Sequence, residues 1–297
     1  MSAALISNWA ILSASTALTL SSFFAAIKLT GSSHPARFSN ISLSITGLAT
    51  VFLTIAVIAR GVAAARAPWG NMYEYAIAGT LAVLVVYLIL AVRHDLSGIA
   101  IFVLMPALLS LGLAQTLLYI PVADLVPALE SGWLVIHVSA AIIAGGGFSL
   151  GFAFAIGELV SRRGNSKLAV EQSNNEKSEL VTSQENSKLT SKLPSSEKLE
   201  LLSYRVTAWA FVVWTFSVLA GAIWAEAAWG RFWGWDPKET WALITLIAYA
   251  AYLHARVTVG WRGGKAAAIA IVGYTSYLFN FFGVNIFFDG LHSYGGL

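Results

Sequence analysis

Five of the chain's 11 tryptophans, Trp224, Trp229, Trp233, Trp235 and Trp241, fall within 18 residues, in IWAEAAWGRFWGWDPKETW. Tryptophan gathers at membrane–water interfaces, but such a belt accounts for one or two residues per helix end. It does not account for Trp229, Phe232, Trp233 and Trp235 within residues 229–235, interleaved with Gly230 and Gly234. That cluster suits a platform for a large, flat, hydrophobic ligand. Directly after it, Asp236-Pro237-Lys238-Glu239 has the form of a helix start. Asp236 stands as N-cap, Pro237 at the first helical position and Glu239 where a capping-box carboxylate belongs. Capping is the favoured reading of both acids, and it would fix the aromatic loop to the helix that follows. Asn71 and Glu74 in PWGNMYEY repeat the device.

Histidines supply the second chemistry. Of five, His34 and His94 sit among polar neighbours. His137 lies one turn after Trp133, and His292 lies near the end of the chain in DGLHSYGGL. Neutral imidazole is a good iron ligand, and two on opposite sides of a porphyrin make a six-coordinate haem. A lone histidine in a membrane segment reads more simply as a hydrogen bond to a neighbouring helix. Two that reach the face of the tryptophan loop favour haem ligation, because ionisable groups in membranes are costly and usually functional. His254, 13 residues after Trp241, lies about 20 Å deeper at 1.5 Å per residue and cannot share that porphyrin. It is either a snorkelling interfacial residue beside Arg256 or a ligand whose partner comes from another chain.

The elements that must position these groups follow from composition. Of the 297 residues, 57% are hydrophobic and 11% charged, against about 25% charged in a soluble domain. The expected fold class is therefore an all-α integral membrane protein. Zero cysteines exclude disulfides, Cys–Zn sites, iron–sulfur ligation and thiol nucleophiles. A net charge of +3 is no nucleic-acid signature, and no phosphate loop, HExxH pair or Ser/His/Asp spacing is present.

Eight segments have the roughly 20 apolar residues that a membrane helix needs: 5–27, 41–65, 72–92, 98–118, 132–159, 202–226, 240–260 and 266–288. The first ten residues carry no positive charge and no small-residue cleavage site follows, so 5–27 is expected to be a retained span. With the N-terminus outside, 14 of the 18 Lys and Arg face inward, leaving Arg60, Arg66, Arg231 and Lys238 outside. Both termini are then extracytoplasmic, and His137, the tryptophan loop and His292 share the outer face. Residues 164–200 are rich in Ser, Asn, Glu and Lys without an aromatic and are expected to be a flexible cytoplasmic insert. The organisation is thus 1–163 with five helices, 164–200 as insert, and 201–297 with three helices and the loop at 226–240. The glycines at 145–147, 151 and 157 suit close helix packing.

Residues 229–256, WGRFWGWDPKETWALITLIAYAAYLHAR, resemble the tryptophan-rich WWD signature of the haem-handling proteins of cytochrome c biogenesis. Within them the chain is similar to the System II type called CcsA or ResC, in some genomes CcsB. WLVIHVS at 133–139 and GLHSY at 290–294 resemble that family's two outer histidine segments, YLHAR its transmembrane histidine, and PWGNMYEY its N-terminal outer segment. The resemblance covers most of the chain and fails over 164–200.

The resemblance implies a cytochrome c synthase, or haem lyase, working as part of a complex. Haem b, as substrate, would be held at the outer face with His137 and His292 as axial ligands of its iron. Trp229, Trp233, Trp235 and Asp236 would form the platform, with Trp233, Trp235 and Asp236 as its catalytic part. His254 would be one ligand of a second, transmembrane haem, the other coming from a membrane partner of the ResB (also named CcsB) type. Haem vinyl groups would meet the thiols of a CxxCH motif in apocytochrome c. The expected location is the bacterial plasma membrane rather than the thylakoid. Two other classes compete: a bis-His, cytochrome b-like electron-transfer subunit, which would bury histidine pairs at matched depths, and a small-molecule transporter, which would carry no haem.

Overall fold

A computed structural model describes residues 2–30, 34–174 and 192–292. Among these every regular element is helical. α1 is Ala3–Leu29, α2 Pro35–Ala64, α3 Met72–Arg93, α4 Ala100–Thr116, α5 Gly132–Asn174, α6 Ser196–Trp229, α7 Pro237–Val257 and α8 Gly264–Phe287. All eight expected segments appear as helices. By length and composition six can cross a membrane. α4 is apolar but has 17 residues, and α7 falls outside the set because charged and polar residues occupy both its ends. The chain is an all-α, multi-pass membrane protein.

The burial pattern follows from a solvent as apolar as the side chains. Large residues such as Trp9, Phe23, Ile58, Val92, Leu109 and Val212 point outward, while small ones lie between helices. α1 buries Ser7, Ala10, Ala14, Ala17, Ser21 and Ala25 and packs chiefly on α2. There Ser21 Oγ bonds Thr46 Oγ1 at 2.8 Å, and Ser7 Oγ donates to the Ala56 carbonyl at 2.9 Å. α5 is the central helix, and its glycines act as expected. A methyl at Gly147 would stand 2.7 Å from Ala210 of α6, and one at Gly146 3.1 Å from Ala82 of α3.

The boundaries of the expected insert shift. α5 runs on to Asn174 and α6 begins at Ser196, capped by Ser195. Residues 175–191 lie outside the described residues. Glu200, inside the expected insert, is buried in an ion cluster at one end of the bundle. Its Oε1 accepts from Arg256 Nη1 at 2.6 Å and its Oε2 from Arg162 Nη2 at 2.7 Å and the Gly263 N–H at 3.1 Å. Arg162 also binds buried Glu158 at 2.8 Å. This arginine end ties α5, α6 and α7 together. The opposite, tryptophan end carries the loops at 66–71, 117–131 and 230–236, and there α8 passes through a π-helical turn at Phe279–Gly283.

Candidate functional site

At the tryptophan end, α3, α5, α6, α7 and α8 enclose a cavity of about 190 Å³. His137 and His292 both line it, as do Trp224 and Trp233. His137 lies in the second turn of α5 and leans on α6. Its Nδ1 sits 2.8 Å from the Ser217 carbonyl, which can only accept, so Nδ1 carries the proton and Nε2 keeps its lone pair. Ser217 Oγ in turn donates to the His137 carbonyl at 3.0 Å. One turn on, Gly221 leaves room for the ring: a methyl there would stand 2.8 Å from Nδ1 and Cε1 of His137.

His292 is placed by different means, beyond the end of α8. Its Nδ1 lies 2.7 Å from Asp236 Oδ2. Asp236 is the N-cap of α7 in a complete capping box. Oδ2 also accepts the Lys238 N–H at 3.1 Å and Oδ1 the Leu291 N–H at 2.7 Å. Glu239 reaches back to the Gly234 N–H at 2.7 Å and the Asp236 N–H at 3.1 Å. Burial works against ionising Asp236. The hydrogen bond from His292, with the two backbone N–H groups, outweighs it and holds the carboxyl below its ordinary range. An ionised Asp236 keeps the proton of a neutral His292 on Nδ1 and again leaves the lone pair on Nε2. Each imidazole therefore has one nitrogen held by a backbone carbonyl or a carboxylate, the outer-shell arrangement that orients metal-binding histidines.

The tryptophans divide. Trp224, nearly fully buried, touches both imidazoles, 6.0 Å and 13° from the His137 ring and 5.5 Å and 66° from His292. Trp229 meets His292 edge-on at 5.0 Å and Trp224 at 4.8 Å. Trp233 is in the cavity wall. Trp235 is 69% exposed, outside the wall, and touches Trp233 edge-to-face at 5.8 Å. Its φ of +58° is the left-handed region, costly for a residue with a Cβ. His254 is not part of this group: it is exposed on the last turn of α7 at the arginine end.

Two contributors were not marked by the sequence, and a third was marked for another role. Ser217 and Gly221 belong to an unremarkable apolar helix and matter only because His137 packs against them. Glu74 corrects an expectation. Asn71 does cap α3, accepting the Glu74 N–H at 2.9 Å, but the Glu74 carboxylate does not return to the cap. It is fully buried and binds Arg60 Nε at 2.9 Å, Arg66 Nη1 at 2.8 Å and the Gly70 N–H at 2.8 Å, so Arg60 is a core residue rather than a loop charge. These bonds set the loop that brings Trp69 to the cavity. The available signal was the scarcity of charge at this end of the chain.

The fold and the site thus define a multi-pass helical membrane protein whose two oriented imidazoles face one aromatic cavity. The sequence profile of the cytochrome c assembly protein family matches residues 69–292, and the chain belongs to that family. It is 38% identical over 285 residues to the cytochrome c biogenesis protein CcsA of Prochlorococcus marinus (strain NATL2A), covering 92% of this chain and 88% of that one. It is 34% identical to CcsA of Chlorella vulgaris, over 88% of this chain and 87% of that one. The match to CcsA of Mesostigma viride, 39% identical, spans 58% of this chain and 57% of its counterpart. Among solved structures, the cytochrome c haem lyase CcmF has the same fold, with a TM-score of 0.71 at 17% identity. The likeness covers 95% of this chain but only 47% of CcmF.

Proposed function

We propose that this chain is the haem-handling subunit of a System II cytochrome c synthase. Haem b is its substrate, held at the extracytoplasmic face between His137 and His292 and presented there for attachment to apocytochrome c. The observation that carries the reading is the pair of imidazoles on one cavity, each with Nδ1 committed and Nε2 left to ligate. Among the described residues no group of three or more His, Cys, Asp or Glu could hold a metal ion. Two imidazoles suit an iron whose other four donors come with a porphyrin. Family membership and the relatives named cytochrome c biogenesis protein and cytochrome c haem lyase support the same activity.

In this reading the chain's own groups do the positioning. Trp224 and Trp229 pack around the ligands, Trp233 walls the cavity, and Asp236 orients His292. Trp235 and Phe232, both exposed on the same loop, offer a surface to the incoming apocytochrome segment. Each thioether forms when a CxxCH thiol adds across a vinyl group: sulfur bonds one vinyl carbon and the proton goes to the other, with no leaving group. Holding vinyls and thiols in register is a proximity effect, and the protein supplies the orientation. The CxxCH histidine displaces one protein ligand, coupling attachment to release. His254, exposed at the other end, serves as one ligand of a second haem completed by a ResB-type partner. We place the chain in the bacterial plasma membrane; relatives in Chlorella vulgaris and Mesostigma viride make the thylakoid the alternative.

The test is an absorption spectrum of the protein purified with its partner, for wild type, His137→Ala and His292→Ala. A low-spin bis-imidazole Soret band is expected in wild type, weakened or converted to high spin in each variant and restored by imidazole. Haem unchanged in both variants sinks the ligand assignment.

A further inference from the structure

The cavity has a wall that the two histidines do not use, and it is polar and unpaired. Lys238 lines it from the first turn of α7, its ammonium 5.8 Å from the Phe281 ring centroid. Asp236 is committed to His292 and backbone N–H groups; Glu239 also lines the cavity, with Oε2 bound to loop N–H groups and Oε1 3.8 Å from Arg231 Nη1 but without a hydrogen-bond partner. Among the described residues Lys238 forms no ion pair. Trp69 lines the same cavity from the loop fixed by Glu74, and its indole nitrogen is buried without a hydrogen-bond partner. Asn280, on the π-helical turn and nine-tenths buried, lines it too, and its amide oxygen has no partner.

A buried donor without an acceptor is costly, so the Trp69 N–H, with the half-buried and unpaired Lys238 ammonium lining the same cavity, matches a ligand that brings the acceptor. We propose that this wall is a carboxylate subsite, in which Lys238 and the indole N–H of Trp69 hold the propionate groups of the porphyrin whose iron His137 and His292 ligate. The inference rests on the haem reading above and adds what selects the porphyrin. The histidines recognise iron, and apolar walls recognise a flat macrocycle, but neither distinguishes a porphyrin acid from its ester. A site built to bond a polar group rejects the analogue that lacks it far more strongly than an apolar pocket rejects a misfit. The carboxylates lie on one edge of the macrocycle, opposite the vinyls in chemical character. Holding them therefore also fixes which edge faces the apocytochrome thiols.

The experiment titrates the purified chain with haem and with haem dimethyl ester, in which both propionates are blocked, following the Soret band. Wild type is expected to bind the free acid about tenfold or more tightly than the ester, the scale of charge-assisted hydrogen bonds. Lys238→Gln and Trp69→Phe should each lower that ratio, Lys238→Arg should largely keep it, and the ester's affinity and low-spin spectrum should be unchanged in all three. Variants that keep the wild-type ratio, or that weaken both porphyrins alike, overturn the subsite. A wild type that gives low-spin spectra with both porphyrins at equal affinity overturns the subsite alone. A wild type that gives no low-spin spectrum with either overturns the ligand reading, and this inference with it.

Discussion

Asp236 does two jobs with one carboxylate: it caps α7 and it orients the ring of His292. The two can be separated. Asn is a good N-cap, so Asp236→Asn should cost helix α7 little, whereas Ala at a cap costs about 1 kcal/mol. The amide is a weaker partner than an ionised acceptor for the His292 N–H, and the haem spectrum of Asp236→Asn should shift toward high spin, while near neutral pH the melting temperature should fall only by what the ionised carboxylate adds. The same carboxyl sets an acid limit. Its folded-state pKa is depressed, so its contribution to stability is complete above the unfolded value of about 3.9 and is lost as pH falls through the folded value. Melting curves should show this loss only below about pH 4, and Asp236→Asn should abolish that part of the fall. Gly221→Ala makes the complementary test on His137. The added methyl displaces the imidazole, with an overpacking cost of about 1–3 kcal/mol, and should abolish the bis-imidazole spectrum in a protein that still folds. The histidines, the tryptophan loop and the capping box were legible in the sequence because each has a local signature. Trp224 was legible only as one of a cluster. Its contact with both imidazoles comes from the packing of α6 on α5 and on the end of the chain past α8, which no run of residues encodes.

At the scale of elements, the site depends on helices held close at both ends. The glycine seam brings α5 against α6 and so sets His137 on Ser217, while the ion cluster at the far end locks α5, α6 and α7 in register. Removing one partner of a buried charge network costs about 3–5 kcal/mol, because the remaining charges stay buried. Glu200→Gln should therefore lower the melting temperature strongly, leaving three arginines, Arg162, Arg256 and Arg262, without their shared acceptor. Where that variant folds, its haem spectrum should match wild type, since the cluster touches no cavity residue. Helix positions followed well from apolar length, as a bilayer dictates. Glu200 did not, since the Ser, Glu and Lys residues at 195–198 just before it read as solvated chain. Only the arrival of Arg256 from α7 identifies it. Glu74 was misread for the same reason: its spacing from Asn71 fits a capping box, and its true partners lie on α2 and in the 66–71 loop.

For the whole molecule, the cavity is shared between distant stretches of chain: Trp69 and His137 lie before the 175–191 segment, and Trp224, Lys238 and His292 after it. The family match begins at Trp69 and ends at His292, so the α1–α2 hairpin lies outside it. That hairpin is nonetheless stitched to the rest through Arg60–Glu74 and through Gln115 Nε2, which donates to Ser15 Oγ at 2.8 Å. A break in the chain between 175 and 191 leaves every described contact of the cavity intact. Two co-expressed halves cut there should reassemble and regain the wild-type haem spectrum. The two proposed ligands, finally, are anchored unequally. His137 is built into a helix and gripped by the backbone of another, so withdrawing it means bending α5. His292 hangs on a short tether past the last turn of α8, latched by one carboxylate, and can swing away without disturbing any helix. The clasp is hinged on one side only. A complex trapped during attachment should thus still show His137 on the iron, with the apocytochrome's histidine in the place His292 has left.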